Sequence, residues 1–282
     1  MRSFSRPGPE TARPPLRFRA PRLMGVVNAT PDSFYPASRA AGESAVERGL
    51  RLIEDGADMI DVGGQSTRPG SDRIPVEDEL ARVIPVVRAL AARARVPISV
   101  DTDKAAVAAA ALDAGARIVN DVSALRADAE MARVAARAER VVLMHMLGES
   151  PKTMQDAPRY DDVVRDVREF LDERLEAFAA AGGDPARVWI DPGVGFGKRL
   201  QDNLALIKHV GDLAAVAPVL LGVSRKSFLG AISPDAGPED RLSGSLAIAA
   251  WAGFAGVEVL RVHDVAETKR ALEALSAVAG AA

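Results

Sequence analysis

Three carboxylates and an amide, Asp61, Asp101, Asp191 and Asn120, each stand at or next to the end of a short apolar run. Singly, an aspartate there is as ordinary as a helix N-cap. Gathered at one place, the four have a more specific use. Buried carboxylates are costly unless several N–H donors meet them. The edge of a guanidine-like heterocycle, an amino group beside a ring N–H, supplies such donors. A second set is cationic: Arg68, Lys226, Arg261 and His263. With neighbouring Ser and Thr hydroxyls it suits a polyanionic group such as a phosphate.

These residues converge only if a repeating element carries them. Eight apolar runs end in Asn28, Asp61, Asp101, Asn120-Asp121, His145, Asp191, Ser224-Arg225-Lys226 and Arg261-Val262-His263. They recur about every 33 residues, the length that one strand, one helix and two short loops consume. Parallel strands point their carboxyl ends one way, so the spacing predicts an α/β fold, a (βα)8 TIM barrel with its site at the strand ends. The expected strands are 23–28, 57–63, 97–101, 117–121, 140–146, 188–191, 218–224 and 257–262. Most are continuous apolar runs, as expected where both faces are buried. Helices are expected over 76–94, with Pro85 kinking or dividing it, over the Ala-rich 104–114, and over 160–181. The long stretches 64–96 and 147–187 carry extended loops after strands two and five.

Composition narrows the function classes. The chain has 282 residues and a net charge of −3, which gives no general attraction to nucleic acid or anionic membranes. It has no cysteine, which excludes disulfides, thiolate metal sites and cysteine nucleophiles and fits a cytoplasmic location. Residues 1–22 hold six Arg against one Glu and five prolines, without the apolar core of a signal peptide. They are expected to form a flexible basic tail ahead of one barrel domain over 23–282. No apolar run is long enough to span a membrane.

Three familiar patterns do not apply. A Rossmann sheet wants GxGxxG after its first strand, where this chain has Asn28-Ala29-Thr30-Pro31-Asp32. The glycine-rich 193–198 ends in Lys198 but lacks P-loop spacing. His145, His209 and His263 do not form a zinc pattern. His145 is read as core packing ahead of a base, and His209 as structural or exposed.

Six strings together resemble the dihydropteroate synthase family: MGVVNATPDSF at 24–34, DVGGQSTRPG at 61–70, NDVS at 120–123, DPGVGFGK at 191–198, SRKS at 224–227 and RVHDV at 261–265. The resemblance covers about 23–275. It implies an enzyme of folate biosynthesis that joins 6-hydroxymethyl-7,8-dihydropterin pyrophosphate to p-aminobenzoate, giving 7,8-dihydropteroate and pyrophosphate. By the same resemblance Asp101, Asn120, Val122, Met146, Asp191 and Lys226 would hold the pterin. Thr67, Arg68, Arg261 and His263 would meet the pyrophosphate, and Phe196, Lys226 and Ser227 the p-aminobenzoate. Asn28 would ligate Mg2+, and Asp101, Lys226 and Arg68 would be catalytic. A homodimer is implied, with 245–256 and 266–277 as candidate surfaces.

The chain departs from the family pattern in its first loop. Tyr35-Pro36-Ala37-Ser38 stands where Ser-Asp-Gly-Gly is usual, removing an acidic residue and adding a stiff proline. Gln65 stands where Glu is frequent. Two alternatives stay open at this level: a pterin-binding corrinoid methyltransferase, and a paralogue that binds pterin without turnover.

Overall fold

The structure is a computed structural model that describes residues 18–29, 45–67, 70–148, 150, 152–233, 237 and 240–281. The expectations placed on 1–17, on the loop at 35–38 and on Arg68 lie outside the described residues.

Eight parallel strands alternate with helices. The strands are β1 (Arg22–Asn28), β2 (Met59–Gly63), β3 (Ile98–Asp101), β4 (Ile118–Asp121), β5 (Arg140–Met144), β6 (Val188–Asp191), β7 (Leu220–Gly222) and β8 (Val259–Val262). Their order is β6-β5-β4-β3-β2-β1-β8-β7, and a parallel bridge from Ile190 to Val219 brings the two ends together. The result is a (βα)8 TIM barrel. Every expected strand is present, with ends moved by at most two residues.

Around it, among the described residues, run α1 (Ala45–Glu54), α2 (Val76–Arg93), α3 (Ala105–Asp113), α4 (Met131–Ala135), α5 (Val163–Ala180), α6 (Leu200–Lys208), α7 (Ser227–Ile232), α8 (Arg241–Phe254) and α9 (Val265–Ala279). Pro85 does not divide α2. It lies on the exposed face, where the carbonyl it leaves unbonded can turn to water. α5 starts where the Asp162 side chain accepts from the Val164 and Arg165 backbone N–H groups, both at 3.1 Å.

The strand period of two divides the interior into layers. At the amino-terminal end Met24, Met59, Ile118, Val142, Trp189, Leu220 and Val259 form one buried apolar plug. Arg22 and Arg140 lie over Trp189 from below, at 5.0 and 5.6 Å from its ring centre. Two residues further along the strands, the same inward positions are Val26, Asp61, Asn120, Met144, Asp191, Gly222 and Arg261. Thus a mostly polar layer rests on an apolar base, at the carboxyl ends of the strands.

Candidate active site

Asp61 and Arg261 form the centre of that layer. Arg261 donates from Nε to Asp61 Oδ2 at 2.7 Å and from Nη2 to Asp101 Oδ2 at 2.8 Å. Asn120 Nδ2 donates to the same Asp61 oxygen at 3.0 Å. Asp61 is fully buried, and its Oδ1 has no hydrogen-bond partner among the described residues. Burial pushes the Asp101 carboxyl up to about 7, even though Arg261 pulls it down. Burial also works against the Arg261 charge, but Asp61 and Asp101 outweigh it and hold its pKa above the ordinary range.

Asp191 is fixed from its own loop, accepting the Gly193 N–H at 2.7 Å. Burial raises its pKa, with Lys226 opposing. Lys226 donates to the Val194 carbonyl and stands 4.8 Å from the centre of the Phe196 ring. Burial lowers its ammonium pKa to about 8. Gly222 has no side chain, and a Cβ built there would lie 3.7 Å from Asp191 Oδ2, 3.8 Å from Lys226 Nζ and 3.9 Å from Arg261 Cβ. Glycine at this position keeps the Asp191 carboxylate and the Lys226 ammonium clear of any intervening side chain.

Two flanks complete the site. Val122, Met144, Met146 and Met154 form a buried apolar cluster with Phe196 packed against it, a flat soft wall beside the carboxylates. On the other side His263 lies with Nδ1 3.1 Å from Ser224 Oγ. Burial, followed by the nearby Arg261 charge, lowers the His263 pKa to about 4, so it is neutral at pH 7. A cavity of about 270 Å³ opens between the loop after β6 and the start of α7, lined by Gly195, Lys198, Asn203, Ser227 and Phe228 among others.

The expected residues therefore fall into groups. Asp101, Asn120, Asp191, Lys226 and Arg261 surround one layer, and Val122 and Met146 share one wall. Lys226 and Phe196 meet, whereas Ser227 lines the neighbouring cavity. Asn28 ends β1, in register with Gly63 of β2. Thr67 lies in the loop after β2. Arg225 turns aside into an ion pair with Asp264 at 2.7 Å. His209 lies just past α6 with Asp212 at 3.0 Å.

Two residues have roles in the structure that their sequence context does not show. Asp61 belongs to the carboxylate set read from the sequence, but the structure gives it a different part, joining Asn120 to Arg261. Its position two residues beyond Met59, in step with Asn120 and Arg261, was the available signal. Lys198 belongs to a string set aside as a false P-loop. It is buried, with Nζ 2.9 Å from His145 Nδ1 and donating to the Phe196 carbonyl at 3.0 Å. Burial lowers Lys198 to about 7 and His145 to about 2, so any proton the pair holds is on Lys198. His145 also packs edge-on against Phe170 at 4.8 Å.

A polar floor of carboxylates, an apolar wall and a cationic rim at the mouth of a barrel define a site for a polar heterocycle that bears an anionic group. Comparison with known proteins agrees. The family model described as pterin binding enzyme matches residues 24–263. The dihydropteroate synthase of Escherichia coli (strain K12) is 43% identical over 263 residues, covering 93% of each chain. A Xanthomonas albilineans dihydropteroate synthase solved with 4-aminobenzoic acid has a TM-score of 0.85 and 47% identity, covering 93% of this chain and 94% of its own. A structure of the same organism's enzyme in complex with 7,8-dihydropteroate has a TM-score of 0.81 and 44% identity, covering 93% and 95%.

The chain belongs to the pterin-binding enzyme family. Its place within that family is among the dihydropteroate synthases, transferases of folate biosynthesis.

Proposed function

We propose that Asp101, Asn120 and Asp191 accept hydrogen bonds from the amino and ring N–H edge of the pterin, with Lys226 on its oxygen side and Val122 and Met146 against its ring. The observation that carries this reading is the polar layer itself: the buried Asp61, Asp101, Asn120 and Asp191, with Lys226 beside Asp191, next to an apolar wall. Thr67, Arg68, Arg261 and His263 meet the diphosphate, and Phe196, Lys226 and Ser227 the p-aminobenzoate. Asp101, Lys226 and Arg68 carry most of the catalysis.

The reaction needs little general-base help, since an aromatic amine is already neutral at pH 7. Its barrier is charge separation as the pterin methylene–oxygen bond breaks and pyrophosphate leaves with the bonding electron pair. The dihydropterin delocalises the resulting cation, and the Asp101 carboxylate lies in its field. Arg261 and Arg68 balance the charge on the departing group. The p-aminobenzoate nitrogen then forms the new C–N bond and loses its proton, an SN1-like course. Arg261 is paired with Asp61 and Asp101 beforehand, so it needs no reorganisation to face the diphosphate.

Among the described residues no group of three or more His, Asp or Glu is placed to cage an ion. Magnesium fits a different donor set, one or two protein oxygens with the remainder from substrate phosphates and water. The Asn28 amide oxygen at the end of β1 suits that role, and Mg2+ would neutralise the diphosphate there. On this reading the enzyme works in the cytoplasm as a homodimer, with a single catalytic domain over 23–282. None of the described helices is long and apolar enough to cross a membrane.

The decisive experiment measures pyrophosphate release from the pterin diphosphate with and without p-aminobenzoate. Release only when both are present, with dihydropteroate formed in equal amount, is expected. Pterin binding without turnover, or methyl transfer to a cobalamin, overturns it.

A further inference from the structure

The loop after β2, which carries Thr67 and Arg68, is fastened from one side by a buried charge pair that the reaction does not use. Lys104, at the start of α3, forms an ion pair with Glu79 of α2, and both are almost wholly buried. Lys104 Nζ also donates to Gln65 Oε1 at 2.7 Å. The same oxygen accepts the Ile74 N–H at 3.0 Å. One amide oxygen thus draws the two ends of the 66–73 segment together and ties both to Lys104.

The surrounding contacts fix the stem of the loop. Arg82 donates to the Gly64 carbonyl at 3.1 Å, Ser71 Oγ to the Ser66 carbonyl at 2.7 Å, and Arg73 to Asp103 at 3.1 Å. Gly64 lies so close to α2 that a Cβ there would be 2.6 Å from Val83 and 3.0 Å from the Glu79 stem. Glu79 Oε1 is buried with no hydrogen-bond partner among the described residues. A buried ion pair is a poor source of net stability compared with apolar side chains of the same volume. What it supplies here is a fixed point beneath Gln65.

We propose that Lys104 and Glu79, acting through the Gln65 amide, are positioning residues that hold the start of the loop after β2, up to Thr67, where the substrate diphosphate binds. The inference rests on reading Thr67 and Arg68 as diphosphate contacts. A coupling of this kind acts on one substrate group only, whereas a purely structural pair would affect all of them.

The test uses the full chain and three variants. Gln65→Leu cuts the tie while leaving the ion pair. The double variant Lys104→Met with Glu79→Leu removes the pair without stranding a buried charge. Gln65→Glu keeps an oxygen able to accept from both Lys104 and Ile74. Gln65→Leu and the double variant are expected to raise KM for the pterin diphosphate at least tenfold. KM for p-aminobenzoate and Kd for 6-hydroxymethylpterin, which lacks the phosphates, should stay within twofold, and Gln65→Glu should restore the first value to within threefold of the parent. Unchanged KM for the diphosphate substrate, or a parallel loss of all three affinities, overturns the proposal. Thr67→Val and Arg68→Ala are measured alongside. If they leave the diphosphate affinity intact, the reading of those two residues fails, and the proposal with it. If they weaken it while Gln65→Leu does not, only the positioning role fails.

Discussion

Arg261 holds Asp101 at 2.8 Å, which links a side chain assigned to the diphosphate with one assigned to the pterin. The same guanidinium reaches the fully buried Asp61. Floor and rim are therefore one electrostatic unit, and a change at either is felt at both.

Arg261→Met should destabilise the fold as well as weaken binding. It leaves Asp61 and Asp101 buried without their counter-charge, and breaking a buried pair in this way costs about 3–5 kcal/mol. Urea unfolding at pH 7 measures this. The cost should shrink at pH 5, where Asp101, raised to about 7, is protonated. A variant as stable as the parent at both pH values contradicts the pairing.

Asp101→Asn keeps the shape and removes the charge. A hydrogen bond to a charged group is worth about 1.5–3 kcal/mol, so kcat/KM should fall by roughly ten- to a hundredfold or more, since the carboxylate also faces the developing cation. Steady-state kinetics with purified pterin diphosphate measure it. Near-normal turnover counts against the pterin assignment.

The pH profile carries two signatures. On the proposed arrangement the pterin N–H groups need Asp101 ionised, so kcat/KM should climb as pH rises through about 7. Lys226 gives up its proton near 8, so kcat/KM should decline above that. Asp101→Asn should abolish the acid limb, and Lys226→Arg should carry the alkaline limb beyond the measured range. A parent profile that is flat from pH 6 to 9 speaks against both.

Lys198 links stability to pH with a definite sign. Its folded pKa is about 7, against 10.5 for the free side chain. Between those values the unfolded chain binds a proton that the native state has released, so this group makes the fold more stable as pH rises. Lys198→Met should remove that slope. The stability difference between parent and variant should change by about 2 kcal/mol between pH 7.5 and 9.5, read by urea denaturation. An identical slope in the two proteins rules the linkage out.

Gly193→Ala should be poorly tolerated. Gly193 has φ +65°, and a Cβ there would fall 1.8 Å from the carbonyl oxygen of His145, the residue just after β5, whose own N–H donates to the Asp191 carbonyl at 2.9 Å. The loop must move, taking with it the N–H that fixes Asp191. A loss of at least about 2 kcal/mol is expected, together with weaker pterin binding by calorimetry. A crystal structure of the variant with the loop unmoved contradicts this.

The barrel was legible in the sequence because its strands are buried on both faces, so each reads as a compact apolar run with a polar end. Asp61, Asp101, Asn120 and Asp191 were legible as a set for the same reason, whereas Lys226 joined them only through the family resemblance. The pairings between them were not. Asp61 and Arg261 are 200 positions apart, and they meet only because β1 lies between β2 and β8. Lys104 heads an alanine-rich helix recognisable from propensity alone, so nothing local marks it as the partner of Glu79. Lys198 stood in a glycine-rich string whose spacing pointed away from phosphate. Its contact with His145 depends on β5 and β6 being neighbours.

The apolar plug beneath the polar layer makes the barrel a cul-de-sac. With one way in and out, depth becomes sequence in time. On the proposed arrangement the pterin diphosphate, seated lowest, must arrive before p-aminobenzoate, and an aryl substrate already in the mouth bars its path. Pyrophosphate has to clear the rim before the joined product can withdraw. Excess p-aminobenzoate should therefore slow the enzyme, a traffic constraint set by the seven side chains that seal the far end.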